Sequence, residues 1–384
     1  MPDPQLLRRY LDNPATSWPK PEPVLAAWEQ AARVIGATAG RAGYREALEA
    51  DAIRRRARER VAGLLGGVDP GRVAFPAGAT LALNMAIHGS VQSGDHVIGT
   101  AADHNATLRP LHWLRQQRLI DTTIVPCDGL GRIDPDDVAR AWRPATRLVV
   151  CTHASNVTGA VQDAAALAAI AHDRGGRLLL DAAQTLGLLP DIATASGADM
   201  VAAPAHKWLQ GMSGIGILWA RPDVELAPLI QGGTGTASDT LDMPTGFSDR
   251  FEAGTPDLPA LAALVAASDW LAAQPAASMA AHCCGLAADC AARLRDLDGV
   301  RVIAAPEGAP IVSFTVDGYD PAETAVLLEQ MAGVQARSGF HCAAGVHEYL
   351  GTDAGGTVRL GFGPFNTADD VAAVVMVIST LTQG

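Results

Sequence analysis

With 384 residues the chain is too long for one simple core and predicts two lobes. At 48% hydrophobic and 18% charged residues it is globular, not disordered. A formal net charge of -12 argues against nucleic acid or an anionic membrane surface as the main partner. No apolar run reaches the roughly 18 residues of a membrane span. Met1-Pro2-Asp3-Pro4 lacks the basic and then apolar layout of a signal peptide. Six cysteines in a chain of this size do not form a disulfide framework, and a cytoplasmic, reducing setting is the expectation.

From the N-terminus, residues 10–17 read as a short polar entry segment, and Pro19, Pro21 and Pro23 keep the adjoining backbone extended. Helical patterns cover residues 23–35 and 44–65. In the second, the run Arg54, Arg55, Arg56, Arg58 and Arg60 reads as a solvated helix face. A strand at 72–75 leads through Pro76-Ala77-Gly78-Ala79-Thr80 into a helix at 81–87. Strand, glycine-bearing turn and helix start place free N–H groups and a hydroxyl where a phosphate can sit, although an ordinary N-cap gives the same pattern. A strand at 96–99 ends near Asp103-His104-Asn105, where His104 either lies against a flat ligand or is structural. A buried strand at 147–151 precedes Ser155-Asn156-Val157-Thr158-Gly159, in which Asn156 either meets a ligand or forms an Asx-turn. A helix at 163–173 comes next.

The central stretch runs from Arg177 to Gly216. Arg177-Leu178-Leu179-Leu180 reads as a short buried strand delivering Asp181, and a second run at 199–203 leads into Ala205-His206-Lys207-Trp208. Of 29 basic residues only Lys20 and Lys207 are lysine. A chain that uses arginine wherever a plain positive charge suffices keeps lysine where a primary amine is needed, because arginine neither loses its proton near neutrality nor forms a Schiff base. A carboxylate at a strand end and a lysine after the next strand are what a pyridoxal 5'-phosphate (PLP) site requires: the acid keeps the pyridine nitrogen protonated and the lysine carries the cofactor as an imine. The plainer alternative makes Asp181 a helix cap and Lys207 a surface cation. Repeated strand–loop–helix units imply a mainly parallel sheet between helices, with ligand at the carboxyl ends of its strands.

Beyond lie a glycine-rich segment, residues 231–236, and Arg250-Phe251-Glu252-Ala253-Gly254-Thr255-Pro256. Helical patterns at 258–273 and 277–297 lead into a smaller lobe with strands near 300–303, 311–316 and 357–360 and helices from Pro321 and Thr367. His282, Cys283, Cys284 and Cys290 in the second helix read as small residues filling a helix interface, with a metal site as the alternative that lacks a matching ligand pair nearby. In Arg337-Ser338-Gly339-Phe340-His341-Cys342, a cysteine beside histidine and near arginine has the surroundings of a reactive thiol, or is inert. Arg359, between apolar neighbours, needs an anion: a substrate carboxylate or an internal Asp or Glu.

Together these motifs resemble the cysteine desulfurase and selenocysteine lyase family, class V of the aminotransferase-like PLP enzymes, over nearly the whole chain. The resemblance rests on YLDNPATSWPKP from Tyr10, GATLALNMAI from Gly78, DHNATLRPL from Asp103, SNVTG from Ser155 and DAAQ from Asp181. It continues through His206-Lys207, FEAGTP from Phe251, RSGFHC from Arg337 and VRLGFGPFNT from Val358.

It implies an α/β protein of PLP-dependent fold type I: a large, mainly parallel sheet domain at 16–257, and a smaller α+β domain made of 1–15 with 258–384. It further implies that Lys207 holds the cofactor and shuttles a proton, Asp181 pairs with the pyridine nitrogen, and His104 stacks on the ring. Asn156 and Gln184 position substrate and phenolic oxygen. Ala79, Thr80 and His206 hold the phosphate, with Thr255 from a neighbouring subunit of a homodimer. Arg359 takes the substrate carboxylate, Arg337 supports the loop, and Cys342 is the nucleophile. The implied reaction releases alanine from L-cysteine, or from L-selenocysteine, and passes sulfur through a Cys342 persulfide to an acceptor, with a sulfur-acceptor protein as one candidate. Epimerisation, β-elimination and a non-catalytic PLP-binding or sulfur-relay role stand as alternatives. Two positions depart from the family pattern: Pro204 stands where a hydroxyl residue usually meets the phosphate, and the loop after Lys207 is one residue longer.

Overall fold

The computed structural model describes residues 8–40, 42–274, 278–305 and 307–383. The tetrapeptide 1–4 and Ala277, the expected first residue of the second long helix, lie outside them. A seven-stranded sheet runs in the order Val73–Ala74, Gly216–Ala220, Met200–Pro204, Arg177–Asp181, Thr146–Thr152, His96–Thr100, Asp121–Val125. The five strands from Met200–Pro204 to Asp121–Val125 are parallel, and the other two join antiparallel at one edge. Side chains alternate between the two faces with the period of a strand. Leu178 and Leu180 lie in one apolar cluster with residues of helices Ala164–Asp173, Arg45–Leu64 and Leu258–Ala273, while Leu179 lies in another with residues of helices Ala79–Ser90 and Asn105–Gln116. Covered on both sides, the inner strands read as continuous apolar runs.

A second sheet of four antiparallel strands has the order Arg337–Gly339, Thr357–Gly361, Ile311–Val316, Val300–Ile303. Helices Ser278–Arg295, Pro321–Ala332 and Ala368–Thr382 cover it around Phe314, Leu328, Leu360 and Val374. The last helix opens on a capping box in which Thr367 and Asp370 satisfy each other's backbone N–H groups. Strand Arg9–Tyr10 pairs with Val334–Gln335, so the start of the described chain is tied to this lobe.

Three features depart from the sequence reading. The solvated arginine face is broken by Arg58, which is buried: it donates to the Val73 carbonyl and pairs with Glu252 at 2.6 Å. Strand Asp121–Val125 is not among the expected strands: Thr122-Thr123-Ile124-Val125 is β-branched throughout, but at the sheet edge most of its side chains are exposed or partly exposed, so it lacks the buried apolar run of the inner strands. Strand Gly216–Ala220, fully buried, lies just past the central stretch and is not among the expected strands, although Pro222-Asp223 form a turn directly after it.

Candidate active site

Loops at the carboxyl ends of the parallel strands enclose a cavity of ≈ 190 Å³. Its floor is Asp181 and Lys207. Asp181 ends strand Arg177–Asp181, is buried, and among the described residues accepts one hydrogen bond, from the Ala183 N–H at 3.0 Å. Burial raises its pKa, against the pull of that N–H and of Lys207. Lys207 stands three residues past strand Met200–Pro204 in a turn held at both ends. Ala205 donates to the Ile215 carbonyl and accepts from Gly211, and the Lys207 carbonyl accepts from Gln210. Burial first lowers the Lys207 pKa, to about 8; Asp181 opposes this, and Arg359 and Arg337 add to it. The pair faces one cavity rather than capping a helix and decorating a surface.

Helix Ala79–Ser90 points its N-terminus into the same cavity, with Ala79 and Thr80 on the wall. Gly78 precedes it at φ 96, a conformation that favours glycine. Gly216 lets that turn approach: a Cβ there would lie 2.3 Å from the Gly78 carbonyl oxygen. The first N–H groups of the helix have no intrahelical acceptor. His206 lines the cavity beside them, and its buried Nδ1 has no hydrogen-bond partner among the described residues. Burial brings His206 down to about 4, with Lys207 and Lys20 adding to it, so the ring is neutral at pH 7.

His104 is both structural and part of the site. Its Nδ1 accepts from the Ala106 N–H at 2.9 Å, capping helix Asn105–Gln116, and this places the ring on the cavity wall. With Nδ1 used as acceptor, a neutral ring carries its proton on Nε2. Burial, then Lys207, Arg337, Arg359 and Arg109, holds His104 at about 4. Asn156 donates from Nδ2 to the His341 carbonyl at 2.6 Å, so it is no simple Asx-turn. Gln184 lines the wall with its amide engaged: Nε2 donates to the Pro14 carbonyl, and Oε1 accepts from Trp208 Nε1.

The smaller lobe brings the remaining groups. Cys342 is partly exposed and lines a second space of ≈ 520 Å³ with His88, Arg109, Trp113 and Leu229; this space shares Thr80, His104 and Ala106 with the first. His341 and Cys342 both take left-handed backbone, φ 50 and 59, which is uncommon for residues with a side chain. Neighbours hold that turn in place. The His341 carbonyl accepts from Asn156, the Cys342 carbonyl accepts from the Asn105 N–H, and His341 Nε2 meets Thr357. Arg337 Nη2 lies 3.2 Å from Cys342 Sγ. For Arg359 the internal alternative is present: Nη2 donates to Asp12 Oδ1 at 2.7 Å and Nη1 to the Asn156 carbonyl. Its buried Nε has no partner among the described residues.

The structure thus gathers Ala79, Thr80, His104, Asn156, Asp181, Gln184, His206 and Lys207 on one cavity and puts Cys342 on the adjoining one. Thr255 lies elsewhere, exposed on a separate cavity that shares Ala77 with the first. Sequence reasoning missed Asp12, Lys20 and Asp103. Asp103 is fully buried and stitches two strand ends, accepting from the Thr100 and Thr152 N–H groups. Only Lys20 carried a usable signal, since the scarcity of lysine applies to it as much as to Lys207.

A fold with its lysine and buried carboxylate at the carboxyl ends of parallel strands, and a cysteine loop from the second lobe, defines a class that comparison with known proteins identifies. Residues 9–374 match the model of the aminotransferase class-V family, and the chain belongs to that family. Among its relatives is a probable cysteine desulfurase of Methanothermobacter thermautotrophicus, 33% identical over 94% of this chain and 92% of that one. Another is the cysteine desulfurase CsdA of Escherichia coli, 30% identical over 95% and 92%. The apo structure of the cysteine desulfurase from Thermococcus onnurineus NA1 superposes with a TM-score of 0.90, at 27% identity over 98% of this chain and 95% of that one.

Proposed function

We propose that this protein is a PLP-dependent cysteine desulfurase, a homodimer acting in the cytoplasm, that releases alanine from L-cysteine and carries the sulfur as a persulfide on Cys342. One observation carries the reading: the Lys207–Asp181 cavity and the Cys342 space share a wall, so an amino acid held over the lysine presents its side chain toward the thiol.

The residues present fit the cofactor. A buried carboxylate with one N–H partner calls for a cation, and a protonated ring nitrogen supplies it. The helix start at Ala79 and Thr80, together with the unpartnered Nδ1 of neutral His206, makes a cradle for a phosphate despite Pro204. Thr255, exposed away from this cavity, is assigned to the phosphate site of the neighbouring subunit. Bound PLP supplies an electron sink for charge that develops at Cα.

The chain's own groups do the rest. Lys207, near 8, has a substantial neutral fraction close to physiological pH, so its Nζ can attach the cofactor and later take and return the Cα proton. His104 lays a neutral ring on the cavity wall, and Asn156 and Gln184 line the same cavity with their amides held in place. Arg359, with Nε–H and further Nη hydrogens unused, takes the α-carboxylate. The Cys342 sulfur attacks the substrate sulfur; the C–S bond breaks, its electron pair stays on the three-carbon fragment, and that fragment takes up a proton and leaves as alanine. Arg337 holds the Cys342 side chain toward the open space. The persulfide sulfur then passes to an acceptor thiol.

The test is to incubate the protein with L-cysteine without reductant and map its peptides. One additional sulfur on Cys342, together with alanine in solution, is expected. Alanine and sulfide formation at the parental rate by Cys342→Ala would overturn the persulfide role. Running selenocysteine alongside decides which chalcogen is preferred.

A further inference from the structure

The two lysines of this chain are joined through one peptide group. Lys20 Nζ donates to the carbonyl of His206 at 2.9 Å and to Ser17 Oγ at 2.7 Å, so the second lysine grips the peptide group from which Lys207 extends. Ser17 closes the arrangement. Its Oγ can only accept from an ammonium, which turns its own proton toward the His206 carbonyl at 3.1 Å. The Ser17 N–H at 3.0 Å and Thr16 Oγ1 at 3.2 Å reach the same oxygen. One carbonyl with two lone pairs therefore draws donors from three residues of a single short segment.

Residues 12–20 form a strap fixed along its length. Asp12 pairs with Arg359, the Asn13 amide donates to the Gly361 carbonyl, and the Pro14 carbonyl accepts from Gln184. The far end of that strap is Lys20. Burial pulls its pKa down to about 8, so holding an ammonium there opposes folding rather than favouring it. A residue kept only for stability would be better replaced by an apolar chain of the same length. Every other basic side chain apart from Lys207 is arginine, and a planar guanidinium cannot place a single compact charge between a hydroxyl and a carbonyl as an ammonium does.

We propose that Lys20 is a positioning residue for Lys207: its ammonium fixes the His206–Lys207 peptide and polarises that peptide behind the lysine that holds the cofactor. This rests on Lys207 being the cofactor's anchor, as proposed for the function. The charged groups facing Lys207 are Asp181 and Asp12, which favour its protonated form, and Arg359 and Arg337, which oppose it; the neutral rings of His104 and His206 face it as well. Lys20 is not among them; its influence runs through the His206 carbonyl that it holds.

The experiment compares wild type, Lys20→Met and Lys20→Arg as PLP-loaded proteins, reading the pH midpoint of the colour of the lysine-bound cofactor, the kcat and KM for L-cysteine, and the Tm. Removing the charge raises the midpoint by about half a pH unit, roughly threefold in proton concentration. It also lowers kcat about tenfold with KM changed less than twofold, and leaves Tm unchanged or higher. Lys20→Arg keeps the midpoint and recovers only part of kcat. Lys20→Gln, which keeps a donor and loses the charge, is read in the same way should the methionine variant not fold. An unmoved midpoint in the uncharged variant, whatever Tm does, overturns the proposal. Borohydride fixation of a pyridoxyl group in wild type is run beside it: failure there removes the Lys207 reading, whereas fixation with an unmoved midpoint removes only the role of Lys20.

Discussion

The two halves of the site are built by different means. On the large sheet, Asp181 and Lys207 stand at or just past strand ends, and the parallel ladder dictates where they point. Burial tunes them: the acid is pushed up and the amine down, each partly restored by the other. On the smaller lobe, Cys342 sits on a left-handed turn outside any strand, held because the Asn156 side chain and the Asn105 backbone, both from the large lobe, bind its carbonyls. One half is positioned by its own sheet and the other by its neighbour. The first should therefore tolerate loss of the second, but not the reverse.

The largest separation comes from the nucleophile. Cys342→Ala should lower sulfur release on the order of 10³-fold or more while leaving cofactor attachment and colour intact. Loss of colour in that variant would mean that the two halves are not independent. Next comes Asp181→Asn, which keeps shape and removes charge; it should retain covalent attachment and slow alanine formation by roughly 10²–10³-fold. Asn156→Ala probes the link between the halves. It leaves the buried His341 carbonyl without its partner at a cost of about 1–3 kcal/mol, and steady-state kinetics should show kcat falling more than cofactor affinity.

The smallest effect is one of pH. In the cofactor-free folded protein burial holds the Lys207 amine at about 8, below the 10.5 usual for lysine. The unfolded chain thus binds more protons between those values, and the contribution of Lys207 to stability rises with pH across that window. Urea midpoints of wild type and Lys207→Met, compared from pH 7 to 10.5, should show wild type gaining on the variant as pH rises. Cofactor capture by the same protein should quicken as pH passes about 8, because the neutral amine is the nucleophile.

How far the sequence reveals this architecture obeys the same division. The sheet-borne half is legible, because strand ends can be read from runs such as Arg177-Leu178-Leu179-Leu180 and because a chain nearly without lysine marks Lys207. The cysteine loop is legible as a motif, but not in its left-handed geometry, whose two carbonyls are held by Asn156 and Asn105, 185 or more residues away. Arg359 can be recognised as needing an anion, yet nothing local names Asp12, 347 residues distant, as the one that meets it. Arg58 escapes a local reading for the same reason: in a row of five arginines only the fold decides which one turns inward to Glu252. Contacts across lobes are set by tertiary packing, which periodicity and local motifs do not encode.

Lys207 as the covalent anchor is the central claim. The most direct measurement is borohydride reduction of the PLP-loaded protein, with peptide mass mapping of the product. A pyridoxyl group on Lys207, absent from Lys20 and lost in Lys207→Ala, is the predicted result. A pyridoxyl group on Lys20, or none fixed at all, would contradict it.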